Sequence, residues 1–241
     1  MKQLSMMQLG HMRSSFQPDH LFLTPDSFIR APRPGMESAT AIVHVSPAAG
    51  AGFIQYTAEF EADGALGACS EQRFLYVLEG EILVDGHILT ADGYAYLPQG
   101  CHVPITGTAG ARASVIEKPY RALDGAEQPP MLIGAEHRVP PSSLMDDDGL
   151  QVRALLPDHT GFDFAMNTMT YQPGASLPMV EIHVMEHGLI MLAGGGIYRL
   201  GEKWYPVTAG DFIWMAPYCP QWFGALGKTS AKYLIYKDWN R

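Results

Sequence analysis

The sequence predicts a mainly-β protein built as two tandem barrels. Three observations carry this: short runs in which apolar and polar residues alternate, glycine-bearing turns between those runs, and a second half that repeats the pattern of the first. The runs 53–60, 74–78, 81–84 and 232–237 read as strands, rich in β-branched and aromatic residues. Glu79-Gly80, Asp85-Gly86, Asp92-Gly93, Gly194-Gly195-Gly196, Gly201 and Ala209-Gly210 read as the turns that separate strands. No long segment carries an apolar stripe of helical period. This spacing of short strands and turns belongs to barrels and sandwiches.

The repeat sets the domain organisation. In the first half, 73–82 leads into 92–102; in the second, 187–197 leads into 210–221. Each reads as strand, glycine turn, strand, then an aromatic strand ending in Pro98 or Pro217, with His102 or Gln221 four residues further on. The expected division is an N-terminal arm and first barrel over 1–126, a proline-rich linker over 127–148, and a second barrel over 149–241.

Composition narrows the function. The chain has 241 residues and a net charge of −9, which argues against general affinity for nucleic acid or an anionic membrane. Cys69, Cys101 and Cys219 are far apart and form no CxxC pair, so a disulfide framework or thiolate zinc site is not expected. The N-terminal stretch has no apolar run of signal-peptide length and no later run is long enough to span a bilayer, so a cytoplasmic protein is expected. Barrels with exposed sheet edges pair them, so homo-oligomerisation is expected too.

The chemistry concentrates in the second half. Glu181 and His183 are two residues apart and His187 lies four further on, so a continuing or bulged strand turns all three to one face. A carboxylate and two imidazoles converging on one point are what a divalent cation takes. Glu186, at odd spacing from Glu181, points away and reads as a surface residue. Asp211 reads as a turn residue and Cys219 as packing, while His11, His20, His44, His87, His137 and His159 have no companion donors nearby in sequence.

Gly174, Glu181-x-His183, His187 and Gly194 together resemble the first motif of the cupin superfamily, with the order of ligand types permuted. The superfamily's second motif carries a further donor after a proline; here Gln221 takes that place. Two such motifs imply a bicupin of two double-stranded β-helix (jelly-roll) barrels. Superposing Gly80 on Gly194 puts Arg73 opposite His187, Cys69 opposite His183, Gly67 opposite Glu181 and His102 opposite Gln221. An arginine repels a cation, so the first barrel is expected to be metal-free.

A closer resemblance runs along the whole chain, through Pro25-Asp26, Glu181-x-His183-x-x-Glu186-His187-Gly188, Gly194-x-Gly196-x-Tyr198, Gly210-Asp211-Phe212-Ile213, Gln221 and Tyr233-x-x-x-Lys237-Asp238-x-Asn240-Arg241. These residues are similar to the (S)-ureidoglycine aminohydrolases, manganese bicupins that convert a small-molecule substrate, (S)-ureidoglycine, to (S)-ureidoglycolate and ammonia in purine catabolism. The resemblance implies Mn²⁺ on Glu181, His183, His187 and Gln221, and substrate contacts from Tyr198, Tyr233 and Lys237. Lys237 is then the catalytic proton shuttle between departing ammonia and entering water. The donor set is hard enough for Mn²⁺ or Fe²⁺. The alternative is another metal-dependent cupin enzyme, an Fe(II) dioxygenase or isomerase acting on a small anion; a non-enzymatic storage bicupin would have degenerate ligands in both halves.

Overall fold

The structure, a computed structural model, describes residues 12–238. His11, Asn240 and Arg241 lie outside the described residues. Two β-barrels dock face to face. The first is a 10-stranded sheet ordered Leu132–Ala135, Gly93–Leu97, Gln72–Glu79, Arg112–Lys118, Ile54–Leu66, Ile105–Gly107, Ile82–Val84 and His87–Leu89, with Met36–Val45 also paired to Ile54–Leu66 and Arg30–Ala31 to Met36–Val45. The second combines an 8-stranded sheet with a 4-stranded sheet. The larger sheet runs Ser15–Phe16, His20–Leu23, Phe212–Met215, His187–Ala193, Ala231–Asp238, Phe164–Tyr171, Asp147–Ala154 and Ser142–Leu144; the smaller runs Glu181–Ile182, Pro220–Ala225, Gly195–Leu200 and Lys203–Thr208. Every strand pairing is antiparallel. No helix among the described residues is long and apolar enough to cross a membrane.

Local chemistry explains the turns. Asp85 and Gly86 both take positive φ, 48° and 79°, the conformation a two-residue hairpin needs to match strand twist. Gly194 sits at φ 63°, and a Cβ there would meet the Ser230 carbonyl oxygen at 2.4 Å, so this turn demands glycine twice over.

Burial separates the residues into three apolar clusters. One fills the first barrel around Tyr56, Phe60, Leu75 and Val115; another fills the second around Tyr171, Leu189, Tyr198 and Tyr233. The third lies between them and includes Phe53, Phe74, Tyr96, Phe164, Ile190, Trp214 and Tyr236. Strand alternation produces this layering: on His187–Ala193, Leu189 and Met191 face the barrel interior while Ile190 faces the other barrel. A sheet buried on both faces reads as a continuous apolar run, as 74–78 does.

Chain connectivity interleaves the barrels. The arm strands Ser15–Phe16 and His20–Leu23 extend the second barrel's sheet through Phe212–Met215, not the sheet that follows them in sequence. Arg13 fastens this arm by a bidentate pair to Asp211, at 2.8 and 2.9 Å. Asp211, expected as a turn residue, is fully buried and accepts from the Thr208 backbone N–H as well. Within 127–148, Leu132–Ala135 pairs with Gly93–Leu97 of the first sheet and Ser142–Leu144 pairs with Asp147–Ala154 of the second.

Charged residues that reach across the interface do so as pairs. Lys118, 2% exposed, bridges Asp163 and Asp238 at 3.2 and 2.7 Å, joining the end of a first-barrel strand to both ends of second-barrel strands. Replacing Lys118 with methionine would leave the Asp163 and Asp238 carboxylates without their shared cation. The expected cost is about 3–5 kcal/mol of folding stability, read by chemical denaturation; a loss below about 1 kcal/mol would mean the pair is solvated.

Candidate metal centre

His187 begins its strand between two neighbours, with Met215 on one side and Lys237 on the other. Glu181 and Gln221 sit directly opposite each other in the smaller sheet. His183 lies on the segment between them, its backbone carbonyl held by the Tyr218 N–H at 2.7 Å. Tyr218 takes φ 65°, a left-handed conformation unusual for a bulky side chain, so the turn that delivers Gln221 is held in a demanding geometry.

The sequence-predicted donors gather around His183. Its Nδ1 lies 2.7 Å from His187 Nε2 and 3.0 Å from the Gln221 side-chain amide, and its Nε2 lies 3.6 Å from a Glu181 carboxylate oxygen. His183, His187 and Gln221 thus converge, whereas Glu181 stands on the far side of the His183 ring. The Tyr198 hydroxyl, fully buried, donates to Gln221 Oε1 at 3.1 Å. Tyr233 lines the same interior, but its hydroxyl is engaged with Tyr171 at 2.7 Å and with Met169 sulfur at 3.2 Å. Tyr171 and Met169 carried no signal in the sequence beyond barrel-wall apolarity.

The electrostatics favour lone-pair donors. Burial is the largest influence on His187 and holds its pKa down at about 3, with His183 and Lys237 adding to the effect. Burial lowers His183 as well, opposed by the Glu181 carboxylate. Both rings are therefore neutral at physiological pH, the form that ligates a cation. Lys237 is half-buried; burial lowers its pKa and only Glu181 opposes the shift. A lysine in that condition gives up its proton more readily than a surface one.

This donor set fits a divalent cation. Two imidazole nitrogens 2.7 Å apart need a shared proton or a cation between them. The two ends of the Gln221 amide have the same shape, and turning it presents oxygen toward His183 while its NH₂ donates to the Tyr198 oxygen.

A different cluster, Asp19, His20 and Cys219, brings three donor atoms closer together. Its capacity is already used. His20 bonds Asp19 and the Tyr205 hydroxyl, each at 2.8 Å, and burial pushes the Cys219 thiol up to about 12. It is a hydrogen-bonded knot beneath the arm.

The first barrel's interior has different contents. Arg73 pairs with Glu117 as His187 pairs with Lys237, which confirms Arg73 opposite His187. The other expected correspondences shift. Ile105 pairs with Leu66 and Val84 as Gln221 pairs with Glu181 and Leu200, so Leu66 and Ile105, not Gly67 and His102, occupy the donor positions. His102 is instead exposed on a longer connecting loop. Arg73 is buried, with Glu117 Oε1 accepting from its Nε at 2.9 Å, while Arg33 reaches Glu117 Oε2 at 3.0 Å. These residues, Tyr56 and Cys69 line a cavity of about 220 Å³.

Residues 167–236 match the cupin domain model. An (S)-ureidoglycine aminohydrolase of Arabidopsis thaliana is 38% identical over 96% of this chain and 80% of its own length. The chain belongs to the (S)-ureidoglycine aminohydrolase family. A member from Escherichia coli strain K12 is 30% identical over 91% of this chain and 88% of its own. The crystal structure of protein Ylba from E. coli superposes with a TM-score of 0.84 at 28% identity, covering 99% of this chain and 98% of that one.

Glu117 offers a test of the first barrel's interior. Burial alone would raise its pKa, but Arg73 and Arg33 outweigh that and, with the Tyr56 hydroxyl, hold it below the ordinary carboxylate value. A depressed folded-state pKa contributes stability above the unfolded value, and that stability is lost as pH falls through the folded value. Stability should therefore fall on acidification below about pH 4.5, and Glu117→Gln should flatten that part of the profile. An unchanged acid limb in the variant would contradict it.

Proposed function

We propose that this protein is a manganese-dependent (S)-ureidoglycine aminohydrolase, hydrolysing a non-peptide C–N bond in allantoin and purine degradation. The observation that carries the reading is the convergence of His183, His187 and the Gln221 amide beside a half-buried Lys237, in a chain whose curated relatives are (S)-ureidoglycine aminohydrolases. Glu181, His183, His187 and Gln221 would hold Mn²⁺, with Glu181 turning toward the other three. Bound there, the ion supplies a Lewis-acid anchor for the substrate carboxylate and amine.

The chain's own residues do the rest. Water adds at the carbon bearing the amine and ammonia leaves, so one C–O bond forms as one C–N bond breaks. Lys237 Nζ, with its lowered pKa, carries a proton between entering water and departing ammonia. Tyr198 holds the Gln221 amide, and Tyr233, fixed by Tyr171, shapes the wall that selects one hand of the substrate. The absence of a comparable donor set in the first barrel supports a single catalytic site per chain. We further propose a cytoplasmic homo-oligomer; the exposed Ile88 on the edge strand His87–Leu89, with exposed Leu83 on the neighbouring Ile82–Val84, supports association.

Ammonia release from freshly generated (S)-ureidoglycine, with and without Mn²⁺, tests the reading. A metal-dependent rate well above the spontaneous one is expected, abolished in His183→Ala. No rate above background would overturn the assignment, and oxygen consumption with bound iron would favour a dioxygenase instead. Lys237→Met should retain the ion and lose about two orders of magnitude in turnover; full activity would exclude the proton-shuttle role.

A further inference from the structure

Glu186, expected at the surface, is buried against the first barrel: its side chain does leave the donor face, but what covers it on the other side is protein. Its Oε1 accepts from the Gly52 backbone N–H of the first barrel at 2.8 Å, and its Oε2 accepts from Trp214 Nε1 at 2.9 Å. Its own carbonyl accepts from the Asp238 N–H at 3.1 Å, next to Lys237. The residue immediately before His187 is thus tied to both neighbouring strands and to the other barrel.

Gly188, immediately after His187, completes the arrangement. A Cβ there would meet Gln55 Oε1 at 2.2 Å and the Phe53 ring at 2.7 Å, so first-barrel side chains press directly on the backbone of the His187 strand. His187 is bracketed on both sides by residues whose environment the first barrel supplies.

The same contact occurs in mirror form. Ile54 pairs with Glu117 as Ala165 pairs with Lys237, so Gly52 and Asp163 are equivalent, as are Gln72 and Glu186. Gln72 donates to Asp163 at 2.6 Å and accepts from the Tyr96 hydroxyl at 3.1 Å, where Glu186 accepts from Gly52 and Trp214. Each barrel therefore clasps the residue before position 73 or 187 of the other. On one side the clasp backs Arg73, which is already satisfied by Glu117. On the other it backs a donor.

From this we infer that Glu186 is a positioning residue for His187, and that the first barrel, lacking a donor set of its own, serves the second by holding that strand in register through Gly52, Phe53 and Gln55. The inference rests on the reading of His187 as a metal ligand.

Divalent-ion affinity of the intact protein, measured with Mn²⁺ by calorimetry or electron paramagnetic resonance on chains shown folded by circular dichroism, separates the two. His187→Ala should lose binding; if it binds as the wild type does, the ligand reading itself fails. Given that loss, Glu186→Ala and Trp214→Phe should each weaken Mn²⁺ by about tenfold, the scale seen when support behind a ligand is removed. Gln72→Ala, which opens the mirror clasp, should lower the melting temperature and leave Mn²⁺ affinity unchanged. Wild-type affinity in both Trp214→Phe and any folded Glu186→Ala, or an equal loss in Gln72→Ala, would overturn the positioning role and leave only interface stability.

Discussion

A polar group buried between the barrels is costly unless it finds a partner, and the partnerships formed there orient the two halves. Phe53, Phe74, Phe164, Trp214 and Tyr236 supply the apolar area, but apolar area has no direction. Direction comes from Lys118 between Asp163 and Asp238, from Gln72 on Asp163, and from Glu186 on Gly52 and Trp214. Sliding one barrel against the other by a residue would break all of them together, leaving buried charges without partners. The strand that carries His187 is tied into that docking, since His187 follows Glu186 directly.

The two barrels show how one scaffold carries opposite interiors. At matching register positions the first has Arg73 against Glu117 and the second has His187 against Lys237. An arginine–carboxylate pair satisfies itself, and Tyr56 and Arg33 complete it. A neutral histidine beside a lysine does not. It leaves lone pairs and a labile proton inside a barrel, which makes that interior competent for chemistry while the other is closed.

Much of this was legible in the sequence, and the remainder was hidden for identifiable reasons. Alternation and glycine turns disclosed the strands, but the expected continuous strand from Glu181 to His187 is interrupted. Glu181–Ile182 and His187–Ala193 belong to different sheets, and the bend between them brings His183 to His187 and leaves Glu181 on the other side of the His183 ring. Parity states which side of a strand a residue occupies but not what lies beyond that side; Glu186 was therefore correctly pointed away from the donors and wrongly assigned to solvent. The Pro98-to-His102 match mimicked Pro217-to-Gln221, yet the longer loop after Leu97 moved Ile105 into the paired position. Only the family resemblance singled out Lys237, because nothing local in the sequence reveals that it lies beside His187 in the sheet. Asp211 concealed its partner for the same reason, since Arg13 is 198 residues away.

The arm that carries Arg13 has a consequence for how the chain must be assembled. Residues 20–23 precede by most of the two barrels the strand they cover, Phe212–Met215. Until the two meet, that strand has an open edge whose N–H and C=O groups can pair with any passing chain. Such long-range closure is entropically slow, so the second barrel is not a self-sufficient folding unit. Its seam is closed by a strand from far earlier in the chain, so the two barrels are tied together as one unit, not strung as two modules.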